Sequence, residues 1–394
     1  MNSDPVVIVA AKRTPSGNFN GVFVNTPAPK LAAAAISKAI ADGSIPAESV
    51  DAVYMGCVLP AGIGQAPARQ AALAAGIPIS TPCTTINKMC GSGMQTVIMA
   101  HDALLAGSRR LIAAGGMENM SLAPYLLPGA RQGYRLGQQT VYDHMLLDGL
   151  EDAYQRGKHM GFFAELCAEK YHISRSEQDD YAGTSIARAR LAIQSGWFQD
   201  ELAPVQITRK KQPPEWVSQD EGPFSVQPEK ISQLAPVFKE NGSITAANAS
   251  SIADGAAVLL LTRASTANQM GLKPLATIIN HYSYAHEPAW YSTAPIGAIE
   301  GLLKITGWSI DKVDLFEINE AFAVVTLVAI QQLQLDHNKV NVNGGGCILG
   351  HPIGATGARI LVTLIHALRQ RNLKRGIAAL CIGGGEATAI AIEV

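Results

Sequence analysis

The sequence of 394 residues contains two related stretches at a nearly constant offset. Asp51 lies in Ser-Val-Asp-Ala-Val-Tyr-Met-Gly, and Asp314 lies 263 positions later in Lys-Val-Asp-Leu-Phe-Glu-Ile-Asn. Gly93 and Gly357 follow at an offset of 264, and each precedes an apolar segment with helical spacing. Because the offset persists over about fifty residues, we interpret the chain as an internal duplication. The alternative is the general likeness of all α/β units, which alternate glycine turns with apolar strands.

Each half of this duplication alternates candidate strands with candidate helices. That pattern predicts a mostly parallel sheet covered on both faces. Residues 6–11 and 276–280 are the predicted first strands of the two halves. The helix predicted over residues 359–368 is apolar nearly all round, so we expect it between layers.

Residues 119–250 break the alternating pattern, because they are rich in proline and hold most of the tyrosine and tryptophan residues. We interpret this segment as an inserted loop domain that covers the site and supplies oligomer contacts. The predicted division is 1–118, 119–250 and 251–394, with 251–270 completing the N-terminal half. Within the insert we predict a helix over 176–196, with Ser176 as its N-cap and Asp179 three residues on.

Bulk composition excludes several classes of protein. A net charge of −1 gives no sign of a nucleic-acid surface. No apolar run approaches the roughly 18 residues that a membrane span needs. The polar N-terminus lacks the basic region and apolar stretch of a secretory signal and is too short for a transit peptide. We therefore expect neither nucleic acid nor membrane as a partner.

The six cysteines include no Cys-x-x-Cys pair and do not resemble a disulfide framework. They favour a reducing compartment, and we expect a cytoplasmic protein. The sequence has no phosphate loop, no His-Glu-x-x-His and no complete dinucleotide fingerprint. No histidine, cysteine or aspartate group has metal-ligand spacing. The expectation is an enzyme without metal or cofactor.

Three glycine-rich segments carry the residues with chemical potential: Cys90, His351 and Cys381. Glycine allows the backbone to approach a ligand and to point its N–H groups inward. Thiols and an imidazole beside such loops favour acyl-thioester chemistry.

Cys90 and His351 have the settings of a nucleophile and its base. Cys90 lies just before a predicted helix, whose dipole favours thiolate and whose N–H groups can hold an oxyanion. His351 is flanked by glycines, and imidazole is the usual activator of a cysteine. The alternatives are a buried structural cysteine and an ordinary core or surface histidine.

Two further positions follow predicted strands. Cys381 ends a strand before three glycines, at the kind of strand end where α/β sheets bind ligands. Asn319, with Glu320, follows a strand over 313–318 and opens a helix predicted over 321–333. The alternatives are a small core residue for Cys381 and a helix N-cap for Asn319.

Together these segments resemble the thiolase family, in its biosynthetic branch, over essentially the whole chain. The matching segments are Asn87-Lys-Met-Cys-Gly-Ser-Gly-Met94, Asn319-Glu-Ala-Phe322, Gly350-His-Pro-Ile-Gly-Ala-Thr-Gly357 and Cys381-Ile-Gly-Gly-Gly385. The resemblance implies an α/β fold of two duplicated halves in five layers, α-β-α-β-α, with the inserted loop domain over the site.

The resemblance also implies residue roles. Cys90 would be acylated, His351 would take its proton, and Cys381 would deprotonate the methyl carbon of a second acetyl-CoA. Asn319, through a water, and His351 would form one oxyanion hole. The backbone N–H groups of Cys90 and Gly383 would form the other.

Contacts with coenzyme A are also implied by the resemblance. They fall on His159, Met160, Phe238, Ala246, Ser250, Ala321 and Phe322. The chain departs from the family at Ala247, where glycine is frequent, and at Gly222-Pro-Phe224, where many members have an arginine for the nucleotide. Arg209-Lys-Lys211 could replace that arginine, but a solvated charged surface is the preferred interpretation.

The implied reaction joins two acetyl-CoA into acetoacetyl-CoA and CoA, and also runs in reverse. One alternative is a degradative 3-ketoacyl-CoA thiolase with broader chain-length range. Another is a catalytically silent CoA- or lipid-binding relative, and a thioesterase is a third, although it would not need Cys381. The resemblance further implies a homotetramer, with residues 122–141 as the loop between dimers.

Overall fold

A computed structural model describes residues 4–394. Residues 1–3 lie outside the described part of the chain, and they belong to the N-terminal segment from which we expected no secretory signal. The strands are β1 (Val6–Arg13), β2 (Gly17–Asn18), β3 (Ala52–Gly56), β4 (Cys83–Ile86), β5 (Leu111–Asn119), β6 (Tyr125–Leu126), β7 (Tyr142–Asp143), β8 (Val205–Ile207), β9 (Glu215–Val217), β10 (Ala253–Arg263), β11 (Ala276–Ala285), β12 (Leu315–Ile318), β13 (Arg375–Ile382) and β14 (Glu386–Glu393). The two predicted first strands correspond to β1 and β11.

The α-helices occupy the longer connections between these strands. They are α1 (Ala28–Gly43), α2 (Pro67–Ala74), α3 (Ser92–Leu105), α4 (Met160–Tyr171), α5 (Arg175–Gln194), α6 (Gly222–Ser225), α7 (Ala264–Gln269), α8 (Ala294–Thr306), α9 (Ala323–Leu333), α10 (Gly346–Leu349) and α11 (Thr356–Gln370).

The duplication is visible in the strand order. The first half runs β1-β10-β5-β3-β4 and the second runs β11-β14-β13-β12, so each half places corresponding strands in the same sequence. Antiparallel pairing of β1 with β11 joins the two half-sheets into one.

The prediction of a mostly parallel sheet needs one correction in each half: β10 in the first half and β14 in the second run opposite to the other long strands. Among the described strands, β3 is parallel to both β4 and β5, and β12 is parallel to β13. The remaining pairs of the main sheet are antiparallel. The reason is connectivity: β14 follows β13 through a tight glycine hairpin, and β10 arrives from the insert, so neither uses the helical crossover that parallel neighbours require.

Apolar packing places the helices in three layers around the two half-sheets. One cluster packs α1 and α2 on the outer face of the first half-sheet. A second packs α8 and α9 on the outer face of the other half-sheet. A third cluster joins α3 and α11 to strands of both halves. Every residue from Thr356 to Leu368 in α11 is buried, as its all-round apolar pattern predicts.

The two central helices approach so closely that their equivalent glycines are required. A Cβ atom on Gly93 would lie 2.9 Å from the backbone nitrogen of Ala358. A Cβ atom on Gly357 would lie 2.5 Å from the backbone nitrogen of Met94. Real Cβ atoms do not approach the backbone this closely, so only glycine fits at these two positions. Gly93 and Gly357, which are equivalent in the duplication, therefore mark the point where the two helices touch.

The insert carries the long helix α5, whose start differs from the prediction by two residues. Ser174, not Ser176, is the N-cap: its hydroxyl accepts a hydrogen bond from the Glu177 N–H, and the Glu177 carboxylate accepts one from the Ser174 N–H at 2.7 Å. Both serines have an acidic residue three positions on. Glu177 completes the reciprocal pair, whereas Asp179 turns to Arg175 at 2.8 Å.

Among the helices of residues 4–394, none combines the length and the apolar character needed to span a bilayer.

The reciprocal cap at Ser174 makes a prediction for stability. Ser174→Ala removes the hydroxyl that accepts from Glu177 and should lower the free energy of unfolding by about 1 kcal/mol. Thermal and urea unfolding would measure the change. Ser176→Ala is the matched control, because Ser176 lies inside the helix and is exposed, and it should leave stability nearly unchanged. Equal losses from the two substitutions would contradict the assignment of the cap.

Candidate active site

Three glycine-rich turns converge on one cavity of about 320 Å³. Cys90 lies in the turn between β4 and α3, and His351 lies in the turn between α10 and α11. Cys381 lies at the end of β13, and Gly383 opens the hairpin that follows. All four residues line the cavity, although almost three hundred positions separate the first from the last.

The turn before α3 holds its backbone in an uncommon conformation. Met89 has φ of +46°, a value that non-glycine residues seldom adopt. The Ser92 hydroxyl donates to the Met89 carbonyl at 2.6 Å and accepts from the Lys88 N–H at 2.8 Å. This network brings the chain sharply from strand to helix and presents Cys90 to the cavity, at the cost of local strain.

Two carboxylates tie the turns to one another. Glu386, in the hairpin after Cys381, forms an ion pair with Lys88 in the Cys90 turn. Buried Glu118, at the end of β5, accepts from the N–H groups of Leu59 at 3.1 Å and Gly354 at 2.9 Å. Glu118 therefore fixes the His351 turn against the first half of the chain. Burial raises its pKa to about 7 despite these N–H donors.

The hydrogen bonds of His351 define its tautomer. The Thr356 hydroxyl donates to the Pro352 carbonyl at 2.9 Å, so its oxygen is left to accept from His351 Nδ1–H at 2.6 Å. Nε2 then carries the lone pair, and it has no hydrogen-bond partner among the described residues. Burial, reinforced by the charge of Arg359, lowers the pKa of His351 to about 3. The imidazole is neutral and can accept a proton through Nε2.

Both thiols are neutral at rest. Burial raises the pKa of Cys90 to about 11, although the backbone N–H groups of Gly383 and of Cys90 itself favour the thiolate. Burial and the neighbouring Cys90 raise the pKa of Cys381 as well. The predicted position of Cys90 at a helix N-terminus is confirmed. Desolvation opposes the shift toward thiolate that the helix N-terminus favours.

Asn319 does not cap a helix. Helix α9 begins at Ala323 with Phe322 as its N-cap, and Asn319 is buried at the end of β12. Its side-chain nitrogen and oxygen both lack a hydrogen-bond partner among the described residues. A buried amide in this state can hold a water or a ligand oxygen.

Glu320, next to Asn319, makes buried contacts that were not predicted. Its carboxylate accepts from the Tyr181 hydroxyl and the Ser185 hydroxyl of the insert, each at 2.9 Å. It also accepts from the Asn341 amide at 2.9 Å and the Cys347 N–H at 3.0 Å. The insert is thus held to the segment that leads to His351. The only sequence signal was an acidic residue in an apolar stretch.

A second cavity of about 330 Å³ adjoins the first, and the two share Met160, Ser250, Phe322 and His351 as walls. His159 and Phe238 line the second cavity, whereas Ala321 lines the first. Two adjoining cavities with mainly apolar walls suit a long, flexible substrate arm that ends at the thiols.

One predicted contact with coenzyme A and two basic residues considered for its nucleotide lie away from these cavities. Ala246 is exposed and lines neither one, so the structure does not bring it to the other predicted contacts. Lys210 is also exposed, and Arg209 lies 3.5 Å from Glu215 on the surface. Tyr291 was not predicted from the sequence. It lines the first cavity, and its hydroxyl donates a hydrogen bond to the Met160 carbonyl at 3.0 Å.

Comparison with known families covers almost the whole chain. The family description "Thiolase, N-terminal domain" matches residues 6–265, and "Thiolase, C-terminal domain" matches residues 272–394.

Individual relatives and a solved structure agree with these family matches. The chain is 46% identical to acetyl-CoA acetyltransferase of Pseudomonas aeruginosa, with 98% of each chain covered. It is 44% identical to acetyl-CoA acetyltransferase of Schizosaccharomyces pombe over the full length of both. The crystal structure of acetyl-CoA acetyltransferase from Bacillus anthracis superposes with a TM-score of 0.96 at 41% identity, covering 99% of this chain and 98% of that one. The predicted fold class is confirmed.

The raised pKa of Cys90 predicts how its reactivity depends on pH. Because the thiolate fraction grows about tenfold per pH unit below the pKa, alkylation of Cys90 by iodoacetamide should accelerate steadily from pH 7 to about 10. Peptide mass spectrometry would follow Cys90, with Cys90→Ser as the control for other thiols. An alkylation rate that levels off near pH 7 would show that Cys90 is already a thiolate at rest. That result would contradict a neutral Cys90 beside a neutral His351.

Proposed function

The chain belongs to the thiolase family, and on that premise we propose that it joins two acetyl-CoA molecules into acetoacetyl-CoA and CoA through an acetyl group carried on Cys90. The reverse thiolysis follows the same path. The observation that carries this proposal is the single cavity lined by Cys90, His351, Cys381 and Gly383. A thioester exchange needs a thiol nucleophile and a neutral base, and the carbon–carbon step needs a second proton carrier.

In the first half-reaction, Nε2 of His351 takes the proton of Cys90 as the sulfur attacks the acetyl carbonyl. The unpartnered lone pair of Nε2 supports this assignment. The bond between the acetyl carbon and CoA sulfur breaks as the bond to Cys90 sulfur forms. Cys381 donates its proton to the departing CoA sulfur, so that the proton count balances. Cys381 is then a thiolate beside the imidazolium of His351.

In the second half-reaction, the Cys381 thiolate takes a proton from the methyl carbon of the second acetyl-CoA. The carbanion attacks the acetyl group, and Cys90 is expelled and regains its proton from His351. Both thiols end as they began. Two sulfurs are required because one carries the acyl group while the other carries the proton.

Negative oxygen develops in both half-reactions and requires donors in a dry site. We assign the backbone N–H groups of Cys90 and Gly383 to the oxygen of the group bound to Cys90. Their effect on the Cys90 thiol, favouring its anion, supports this assignment. His351, as imidazolium, and a water held by Asn319 stabilise the enolate oxygen of the second substrate.

The pantetheine arm of coenzyme A is assigned to the second cavity, against Phe238, His159 and Ser250. Met160 and Phe322, which border both cavities, would guide the thioester to the sulfurs, and Ala321 lines the acyl end. We keep the division into 1–118, 119–250 and 251–394 as part of this proposal, since the insert supplies His159, Phe238 and Ser250.

We place the protein in the cytoplasm, supported by six cysteines that are all free thiols.

The assigned roles predict different losses for the two cysteines. Cys381→Ala should still accept an acetyl group from a synthetic thioester with a low-pKa leaving group, but should lose carbon–carbon bond formation by at least about a thousandfold. Intact-protein mass spectrometry would detect the acetyl adduct, and absorbance of acetoacetyl-CoA would follow condensation. Cys90→Ser is the matched control and should form no adduct. If wild-type protein forms none, the chain is a silent CoA-binding relative; if Cys381→Ala loses both steps equally, the division of roles is wrong.

A homotetramer assembled through residues 122–141 is the final element of the proposal. This segment exposes several large apolar side chains, among them Leu136 at 96% and Tyr125 at 69% exposure. Exposed apolar residues at this density are typical of a contact surface. Leu136→Glu should convert tetramers into dimers, measured by light scattering, while Ile79→Glu, at an exposed residue elsewhere, should not. A wild-type dimer would contradict this assembly.

A further inference from the structure

A group of three possible metal ligands lies at the joint between the two halves. His101 and Asp102 are on the last turns of α3, and His281 is on β11. Residues 102 and 281 are too far apart in the sequence for spacing to reveal the group, and the expectation of no metal rested on spacing alone. Among the described residues, it is the one group of three histidine, cysteine, aspartate or glutamate side chains whose donor atoms are close enough together to bind a single ion.

The donor atoms face a common point. One carboxylate oxygen of Asp102 lies 3.0 Å from Nδ1 of His101 and 2.9 Å from Nε2 of His281. The three donor atoms all lie within 4.8 Å of one another. The imidazole rings meet edge to face, with centroids 5.1 Å apart. In the described structure these three side chains use the same nitrogen and oxygen atoms that would bind a metal ion.

The chemistry of the donors selects the class of ion. Two imidazole nitrogens and one carboxylate oxygen suit zinc and related transition ions, whereas magnesium and calcium prefer oxygen alone. His101 is almost buried, while the Asp102 side chain is 57% exposed, which leaves room for water.

One nearby charge opposes a cation. Arg263 lies close to His101, but its Nη1 donates to the Leu104 carbonyl at 3.2 Å and its Nε lies 3.3 Å from Asp4. The guanidinium is thus directed toward the end of α3 and toward a carboxylate. It will weaken, without blocking, the binding of a divalent ion.

We propose that His101, Asp102 and His281 bind one zinc-type divalent ion, with water completing the coordination. The ion links α3 of the first half to β11 of the second. Helix rise places His101 roughly 13 Å along α3 from Ser92, which lies two residues after Cys90, so the ion acts as a structural clamp and takes no part in acyl transfer. This inference does not depend on the reaction assigned to the cavity.

The test is titration of the reduced, metal-free protein with Zn²⁺ by calorimetry and with Co²⁺ by absorption. Wild type should bind one ion, with Co²⁺ bands of nitrogen and oxygen ligands and no thiolate charge-transfer band. His281→Ala and Asp102→Asn should each weaken Zn²⁺ binding by at least about tenfold. Zn²⁺ should raise the melting temperature of wild type by more than that of either variant, because the stability that a native-state site gains from the ion falls with its affinity.

His172→Asn is the matched control. It removes an exposed imidazole outside the group, and asparagine tolerates the left-handed backbone at this position, so Zn²⁺ affinity should not change. Using two variants with different chemistry guards against misfolding of one of them. Equal Zn²⁺ affinity in wild type, His281→Ala and Asp102→Asn would overturn the proposal. A thiolate band in the Co²⁺ spectrum would assign the ion to cysteine and overturn it as well.

Discussion

Close contact between the N-terminal ends of α3 and α11 is the constraint on which the rest of the molecule depends. The two helices are equivalent in the duplication, and each presses its glycine, Gly93 or Gly357, onto the backbone of the other. Strand β5 also comes close to the turn before α11 at Gly116, where a Cβ atom would overlap the Gly354 carbonyl. Because the helices meet at their N-termini, the turns that carry Cys90 and His351 meet there too. Larger residues at these contacts would separate the nucleophile from its base.

Desolvation then determines the state of the groups that this contact brings together. The imidazole of His351 and both thiols are neutral at rest, since burial penalises each charged form more than nearby N–H groups favour it. Charge therefore arises only as the reaction proceeds, next to donors that are already in place. Glu118 and Glu320 accept several hydrogen bonds each. Glu118 joins the turn of His351 to the first half of the chain, and Glu320 joins the segment before His351 to the insert.

The sequence predicted the parts of this arrangement that depend on local chemistry. Glycine spacing located the three turns, and helical periodicity located α3, α5 and α11 to within a few residues. The direction of β10 and β14 was missed, because pairing is set by connections that apolar patterns do not record. The desolvation of Cys90 was not predicted, because burial is a property of the assembled layers. Glu118 and the His101–His281 group were missed because their partners lie far away in the chain, and Ala246 was placed by resemblance without a contact to support it.

The central position of β10 has a consequence for how the chain is made. Strand β1 is completed before residue 14, yet its two neighbours are β10, at residues 253–263, and β11, at residues 276–285. During synthesis β1 therefore waits, with both edges unpaired, until about two thirds of the polypeptide has left the ribosome. Such long delays between a strand and its partners slow folding and expose apolar edges to other chains. The nascent first half depends on protection from outside until the insert has been translated, so interrupting translation within residues 119–250 yields an aggregation-prone fragment instead of a folded half.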